Sequence, residues 1–315
     1  MTAPIVPILP ETIALAAEIL SDGGLVAIPT ETVYGLAADA ANPDAVARLY
    51  EAKGRPRFNP LIAHVASWDM AEREAEFSPL ARACTDAFWP GPLTLVLPAR
   101  SGGRVSDLAR AGLETLALRW PKHRAAAGLV EVFGRPLVAP SANRSGHVSP
   151  TRAEHVAADL GDRIDLILDG GPCDVGMEST ILGFEDGEPV LLRPGGIATE
   201  LIAAKLGRQV RAHGALAGIN APGQLKSHYA PRARLRLDAA AADEGEGYLA
   251  FGPVPAGDLN LSPSGNLVEA AANLFEMLRT MDTRFERIAV SPIPVTGLGE
   301  AINDRLQRAA HREAG

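Results

Sequence analysis

GLVAIPTETVYGLAADAANPDAVARLYEAKGRPRFNPLIAHV, residues 24–65, decides the fold class. It opens on a β-type run, GLVAIP (24–29), crosses a hydroxyl-rich loop and enters a helical pattern at 43–52. A basic loop then leads into a second β-type run, LIAHV (61–65). Strand, helix and strand in that order predict an α/β layer arrangement. The alternation continues outward. LTLVLP (93–98), TLALRW (115–120), PLVAP (136–140), DLILD (165–169), STILGF (179–184) and PVLLRP (189–194) read as strands. Helical patterns cover 11–20, 78–87, 151–160 and 199–206, and Pro150-Thr151 is predicted to supply a turn and an N-cap to the helix over 151–160. Up to about residue 207 the chain therefore reads as one α/β unit with a large mixed sheet.

The 315 residues are long for one core and comfortable for two. Residues 208–232 contain Gly and Pro without helical or strand periodicity and read as a linker. A second, smaller α/β unit follows: a strand GYLAFG (247–252), a helix over 267–282, a strand RIAVSPI (287–293) and a helix at about 299–310.

Composition narrows the classes. With 47% hydrophobic and 22% charged residues the chain can bury a sizeable core, which argues against disorder. Its apolar runs are broken well short of the roughly 20 residues a membrane span needs, and no basic flank precedes the apolar residues of MTAPIVPILPET (1–12), so a cytoplasmic location is expected. Cys84 and Cys173 stand far apart, indicating neither a disulfide framework nor a thiolate zinc site. The net charge of −8 disfavours general nucleic-acid binding, which usually needs a surplus of cations over phosphate. Only four of the 30 basic residues are Lys, at 53, 122, 205 and 226.

Three loops carry chemistry. Lys53-Gly54-Arg55-Pro56-Arg57-Phe58-Asn59-Pro60 sets three cations in five residues. Arg can fork two donors onto phosphate oxygens, Lys adds a compact charge, and Gly permits close approach; a solvated basic loop is the other reading. PTETVYGLAADA (29–40) places Thr30, Thr32 and Tyr34 at a strand's carboxyl end, where open α/β sheets bind ligands, or else forms a hydroxyl turn capping the strand. APSANRSGHVSPT (139–151) offers Ser141, Asn143, Ser149 and Arg144, with backbone N–H groups able to cradle an anion, or is simply a turn. His64 lies in an apolar strand, as core histidines do. Neither HExxH nor GxxxxGK[ST] occurs, so a built-in metal cage and an ordinary P-loop are not expected, and the missing GxSxG elbow leaves Ser141 a poor nucleophile.

Taken in order, PTETVYGLAADA, KGRPRFNPLIAHV, WPGPLTLVLP (89–98), LALRWP (116–121), PLVAPSANRSG, ESTILGF and LLRPG resemble the Sua5/YrdC/YciO family over roughly residues 8–207, and APGQLKSHYAPR (221–232) resembles the segment joining the two domains of full-length Sua5. The resemblance implies a YrdC-like twisted mixed sheet over 1–207, a linker and active-site lid over 208–232, and a small Rossmann-like α/β domain over 233–315. It implies condensation of L-threonine, bicarbonate or CO2, and ATP to threonylcarbamoyl-AMP and pyrophosphate. A separate transferase then uses the product for the t6A modification of tRNA at adenosine 37. It further implies that Lys53 and Arg55 hold the triphosphate, with Asn59, Thr115, Ser141, Asn143, Ser149, Arg193 and Tyr229 completing the ATP site and Mg²⁺ bridging the phosphates. Thr32, His64, Arg119 and Ser179 would surround threonine, Arg119 pairing with its carboxylate. Tyr229 and His228 would close over the site; Ala139, where the family sometimes has Thr, could contribute backbone only.

Two rival readings are an RNA-binding module, against which the charge and the lack of interleaved aromatics weigh, and a YciO-like or HypF-type relative acting on another acyl group. The chain lacks the Cys clusters that a HypF-type zinc-finger module needs. The expected state is a monomer without a membrane and without stable tRNA binding.

Overall fold

The structure, a computed structural model, describes residues 2–212, 222, 228–254 and 257–311. The first part of the chain runs β1 (Ile5–Pro7), α1 (Pro10–Ser21), β2 (Val26–Ile28), β3 (Gly35–Asp39), α2 (Pro43–Lys53), β4 (Ile62–His64), α3 (Trp68–Glu74), α4 (Pro79–Phe88) and β5 (Leu93–Pro98). It continues through β6 (Thr115–Arg119), α5 (Arg124–Phe133), β7 (Leu137–Val138), α6 (Ala153–Leu160), β8 (Leu166–Asp169), β9 (Thr180–Glu185), β10 (Glu188–Arg193), α7 (Thr199–Leu206) and β11 (Arg211–Ala212). These strands form one mixed sheet of order β1-β8-β2-β3-β7-β4-β6-β5-β9-β10-β11.

The second part holds β12 (Arg234–Arg236), β13 (Gly247–Ala250), β14 (Leu259–Asn260), α8 (Leu267–Asp282), β15 (Arg287–Val290) and α9 (Leu298–Ala310). Its four strands pair in parallel, in the order β12-β15-β13-β14, the all-parallel arrangement expected of a Rossmann-like unit.

Local chemistry sets the helix ends. The Asn42 side chain caps α2 by accepting from the N–H groups of Asp44 and Ala45, Pro43 fits the first turn, and Gly54 ends the helix at φ 60°. Asn266 caps α8 in the same way. The helix over 153–160 corrects its expected start: its N-cap position is Arg152, without a side-chain cap, and Thr151 instead donates its N–H to His155 Nδ1 at 3.3 Å.

GLAAD, expected to belong to a loop, is β3. It pairs antiparallel with β2 and β7 and is buried throughout, so sheet pairing overrides weak local propensity. The segment expected as linker begins with the edge strand β11, paired to β10; residues 213–221 and 223–227 of it lie outside the described residues. One apolar cluster crosses between the two parts, joining Val33, Val148 and Met177 to Tyr229, Leu274 and Phe275. Among the described residues no helix is long and apolar enough to cross a membrane.

Candidate nucleotide and amino-acid site

Parallel pairing of β4 with β6 sets His64 opposite Arg119 and Ile62 opposite Ala117. Alternate strand residues share a face, so Thr115, Ala117 and Arg119 look the same way. Ile62, Val96, Ala117 and Ile181, with Leu192 packed against them, form a small apolar floor. At one end of it lies a cavity of about 40 Å³ lined by Thr32, Arg55, His64, Arg119, Ser141, Ser179, Arg193 and Tyr229. At the other end a wider cleft of about 730 Å³ includes Thr115, Val96, Gly183 and Leu192. Thr115 therefore stands about 13 Å along β6 from Arg119.

The two hydroxyl readings of the 29–40 loop divide between its residues. Thr30 builds the turn: its Oγ1 donates to Val33 O at 2.7 Å and accepts the N–H groups of Thr32 and Val33. Tyr34 is structural too, donating to Gly171 O at 2.8 Å. Thr32 turns into the cavity and accepts from Arg119 Nη1 at 2.9 Å. Arg119 also donates through Nε to Gly91 O at 3.3 Å, and its Nη2 lies 2.8 Å from the Glu31 carboxylate. The guanidinium thus faces the cavity with a buried counter-charge behind it. Burial and the Arg119 charge depress His64 to about 3, so it is a neutral imidazole in the site.

The cationic loop is a buried device. Lys53 closes α2, and its Nζ donates to Ser141 O and Asn143 O, both at 2.5 Å, tying the 139–151 loop to the helix. Burial, then the Arg55 charge, pushes the ammonium well below its usual range. Arg55 donates Nε to Asn59 O at 3.3 Å and Nη2 to Pro60 O at 2.9 Å, and burial lowers it to about 10. Arg57 and Arg144 point to solvent. Several N–H groups of the 139–151 loop are already committed: Ala142 N donates to Tyr34 O and Ser145 N to Lys53 O.

Across the cavity, Arg193 donates to Ser179 O at 2.8 Å and Ser179 Oγ at 3.2 Å, and Ser179 Oγ meets Thr94 Oγ1 at 2.7 Å. Ser149 Oγ donates to Glu178 Oε1 at 2.5 Å. His228 and Tyr229 close the space, their rings in edge contact at 4.0 Å. Tyr229 stacks on Phe275 at 5.6 Å and holds a left-handed backbone, φ 62°, which is costly for a non-glycine residue. Asn59 Oδ1, Asn143 Oδ1, His228 Nδ1 and the Tyr229 hydroxyl are buried without a hydrogen-bond partner among the described residues. Such orphans are rare in folded proteins and point to absent partners. A space of about 40 Å³ admits a few waters and falls far below the usual size of a small-molecule site.

Eight of the thirteen nominated residues line the one cavity. Lys53, Asn143, Ser149 and Asn59 support its walls from behind, and Thr115 lines the wider cleft. Sequence reasoning passed over three charged residues. Glu31 and Glu178 sit within quoted motifs, next to nominated Thr32 and Ser179, which was the available signal. Arg305, wholly buried beside Glu178, gave none. Cys84 and Cys173 are unpaired and buried, with thiols pushed up to about 11 and about 12 by burial, so neither is a poised nucleophile.

Fold and site together define an α/β protein whose mixed sheet carries an arginine-lined cavity at one end of a small apolar floor. A family model for Sua5, YciO and YrdC, described as telomere recombination, matches residues 18–195, and one for the threonylcarbamoyl-AMP synthase C-terminal domain matches residues 197–311. The chain belongs to the Sua5/YciO/YrdC family. It is 42% identical to the threonylcarbamoyl-AMP synthase of Bacillus subtilis over 324 residues, covering 95% of this chain and 92% of that one. The Pyrococcus abyssi threonylcarbamoyl-AMP synthase is 41% identical over 95% of this chain and 94% of that one. The crystal structure of P. abyssi Sua5 complexed with L-threonine superposes with a TM-score of 0.89 at 39% identity, covering 98% of both chains. Escherichia coli YciO, 21% identical, gives a TM-score of 0.55 over 61% of this chain and 96% of its own, a likeness of fold alone.

Proposed function

We propose that the chain is an L-threonylcarbamoyladenylate synthase, a nucleotidyltransferase that condenses L-threonine, bicarbonate or CO2, and ATP to threonylcarbamoyl-AMP and pyrophosphate for t6A formation on tRNA. The observation that carries this reading is the meeting of Arg119, His64, Thr32 and Ser179 with Arg55 and Arg193 around one cavity. The amine of threonine bonds to the carbon of CO2 and loses a proton. An oxygen of the resulting carbamate then bonds to the α-phosphorus of ATP as the bond to the β-phosphate oxygen breaks, releasing pyrophosphate. Such a transfer needs positioning and charge neutralisation more than covalent help.

In this reading Arg119 receives the threonine carboxylate, and Thr32, Ser179 and neutral His64 receive its hydroxyl and amine. A polar pocket of this kind rejects amino acids that leave its donors unpaired. Arg55 and Arg193 neutralise the polyphosphate, while Lys53 steadies Ser141 and Asn143 and turns its remaining N–H toward the phosphates. Asn59 and Ser149 support that wall. The apolar floor leading to Thr115 suits the nucleoside. Among the described residues no group of three or more His, Cys, Asp or Glu stands together, so Mg²⁺ would be held by the phosphates of ATP, where it offsets their charge. The His228–Tyr229 segment acts as a lid that shields the mixed anhydride from water. Residues 1–207 form the catalytic domain, 208–232 the linker and 233–315 the C-terminal domain of a monomeric, cytoplasmic enzyme. It passes its product to a separate transferase and does not hold tRNA stably.

The test is pyrophosphate release with each substrate omitted in turn. Release should require ATP, Mg²⁺, bicarbonate and L-threonine together, with the mass of threonylcarbamoyl-AMP appearing. Release that persists at the same rate without threonine would overturn the assignment.

A further inference from the structure

Among the described residues Glu178 is the single carboxylate lining the cavity, with Arg55, Arg119, Arg193 and His228 around it. A free carboxylate there would repel a polyphosphate, or would neutralise Arg193 by pairing with it. Both of its oxygens are instead engaged by groups other than Arg193. Oε1 accepts from Ser149 Oγ at 2.5 Å, and Oε2 accepts from Arg305 Nε at 2.9 Å.

Arg305 belongs to α9, 127 positions along the chain and in the other domain. Its side chain is wholly buried, and its other donors are committed as well: Nη2 to Pro194 O at 2.9 Å and Nη1 to Asp304 at 2.6 Å, with the guanidinium 5.0 Å from the Tyr229 ring. Left to burial alone, the Glu178 carboxyl would rise; Arg305, then Arg193, hold it below its usual value, so it stays ionised. Arg193 feels the Glu178 charge but spends its hydrogen-bond donors on Ser179 and Pro222.

We propose that Arg305 is a positioning residue of the anion site: it holds Glu178 against Ser149 and cancels the cavity's one carboxylate, so that Arg55 and Arg193 keep their charge for a polyphosphate only while the C-terminal domain is docked. The inference rests on the reading of this cavity as the ATP phosphate site. It gives the C-terminal domain a part in binding, exerted through Glu178 rather than by touching substrate.

The experiment compares Arg305→Met, Glu178→Gln and the double variant in the full chain. It reads the ATP KM from pyrophosphate release, and the dissociation constant of inorganic pyrophosphate by calorimetry. Arg305→Met takes the strongest counter-charge from a buried carboxylate and turns that carboxylate onto Arg193, and both constants should rise about tenfold or more. Adding Glu178→Gln removes that charge and should bring both back to within about threefold of Glu178→Gln alone. A purely mechanical role would not produce this rescue. Unchanged constants in Arg305→Met overturn the proposal, and so does a double variant no better than Arg305→Met. If Arg305→Met does not fold, the double variant decides against Glu178→Gln, since a neutral pair of similar volume is tolerated where a broken ion pair is not. A tenfold gap between those two sinks the idea. Wild-type protein that binds pyrophosphate with this dependence yet forms no threonylcarbamoyl-AMP removes the proposed function and leaves the role of Arg305 standing.

Discussion

His64 shows how a single buried group records the site's electrostatics. Its ring sits beside Arg119 because the two are register partners on adjacent parallel strands, and its Nδ1 lies 3.3 Å from Ile62 O. Burial and the guanidinium both oppose protonation, and they place its folded pKa at about 3 against 6.5 for a free imidazole. Between those values the unfolded chain binds a proton that the folded chain refuses, so stability is full above pH 6.5 and falls as the pH drops toward 3. The contribution approaches one proton, about 1.4 kcal/mol per pH unit in the middle of that window. Urea unfolding at pH 6, 5 and 4 should therefore show a steeper loss in the wild type than in His64→Asn. Parallel pH profiles would mean that the imidazole is protonated in the folded state. A neutral His64 whose Nδ1–H donates to Ile62 O keeps Nε2 as an acceptor only, which leaves the carboxylate of a substrate to Arg119.

At the scale of elements, the loop before β9 makes a close backbone approach to helix α8 of the other domain. Gly176 holds φ +65°, and a Cβ there would fall 2.3 Å from Ala272 O and 2.6 Å from Ala272 Cα. Only glycine meets both demands, since the positive φ is strained for any side chain and helix backbone cannot give way cheaply. Gly176→Ala should cost about 2–4 kcal/mol in urea unfolding, combining left-handed strain with overpacking, and should raise the ATP KM because Glu178 lies two residues on. Wild-type stability would show that the helix sits further off. No local signal announces this packing. Hydrophobic period alone placed β5 at 93–98, α7 at 199–206 and α8 at 267–282. GLAAD of β3 and RAAAGLVEVF of α5 were not assigned, since Gly and Ala carry little strand preference and Gly128 interrupts a helical pattern. The site divides likewise. The Lys53–Arg55 cluster is legible as cation density, whereas Thr32, His64 and Ser179 read as ordinary residues until the strands bring them together. Arg305 could be found only in three dimensions, because a lone Arg on an amphipathic helix normally faces water.

Considered as a whole molecule, the two domains share too much to unfold separately. The apolar cluster around Tyr229 and Phe275 draws on both, Arg279 of α8 pairs with Asp159 at 2.7 Å, and Thr199 donates to Glu300 at 2.7 Å. The buried Arg305–Glu178 pair adds a contact that is costly to break from one side. Two-domain chains commonly depart from two-state behaviour, because each core can persist without the other; a shared core removes that independence. The distribution of probes makes this measurable. All three tryptophans, Trp68, Trp89 and Trp120, lie in the first domain, while the two longest helices among the described residues, α8 and α9, lie in the second. Tryptophan fluorescence and the helical far-UV signal should therefore trace one superimposable urea transition in the wild type. In Gly176→Ala, part of the far-UV change should move to lower urea while the fluorescence midpoint moves less, since α8 and α9 are released first. Separate transitions in the wild type would show that the domains are stable independently, and docking would then have to be sought as a step of the catalytic cycle rather than as a property of the fold.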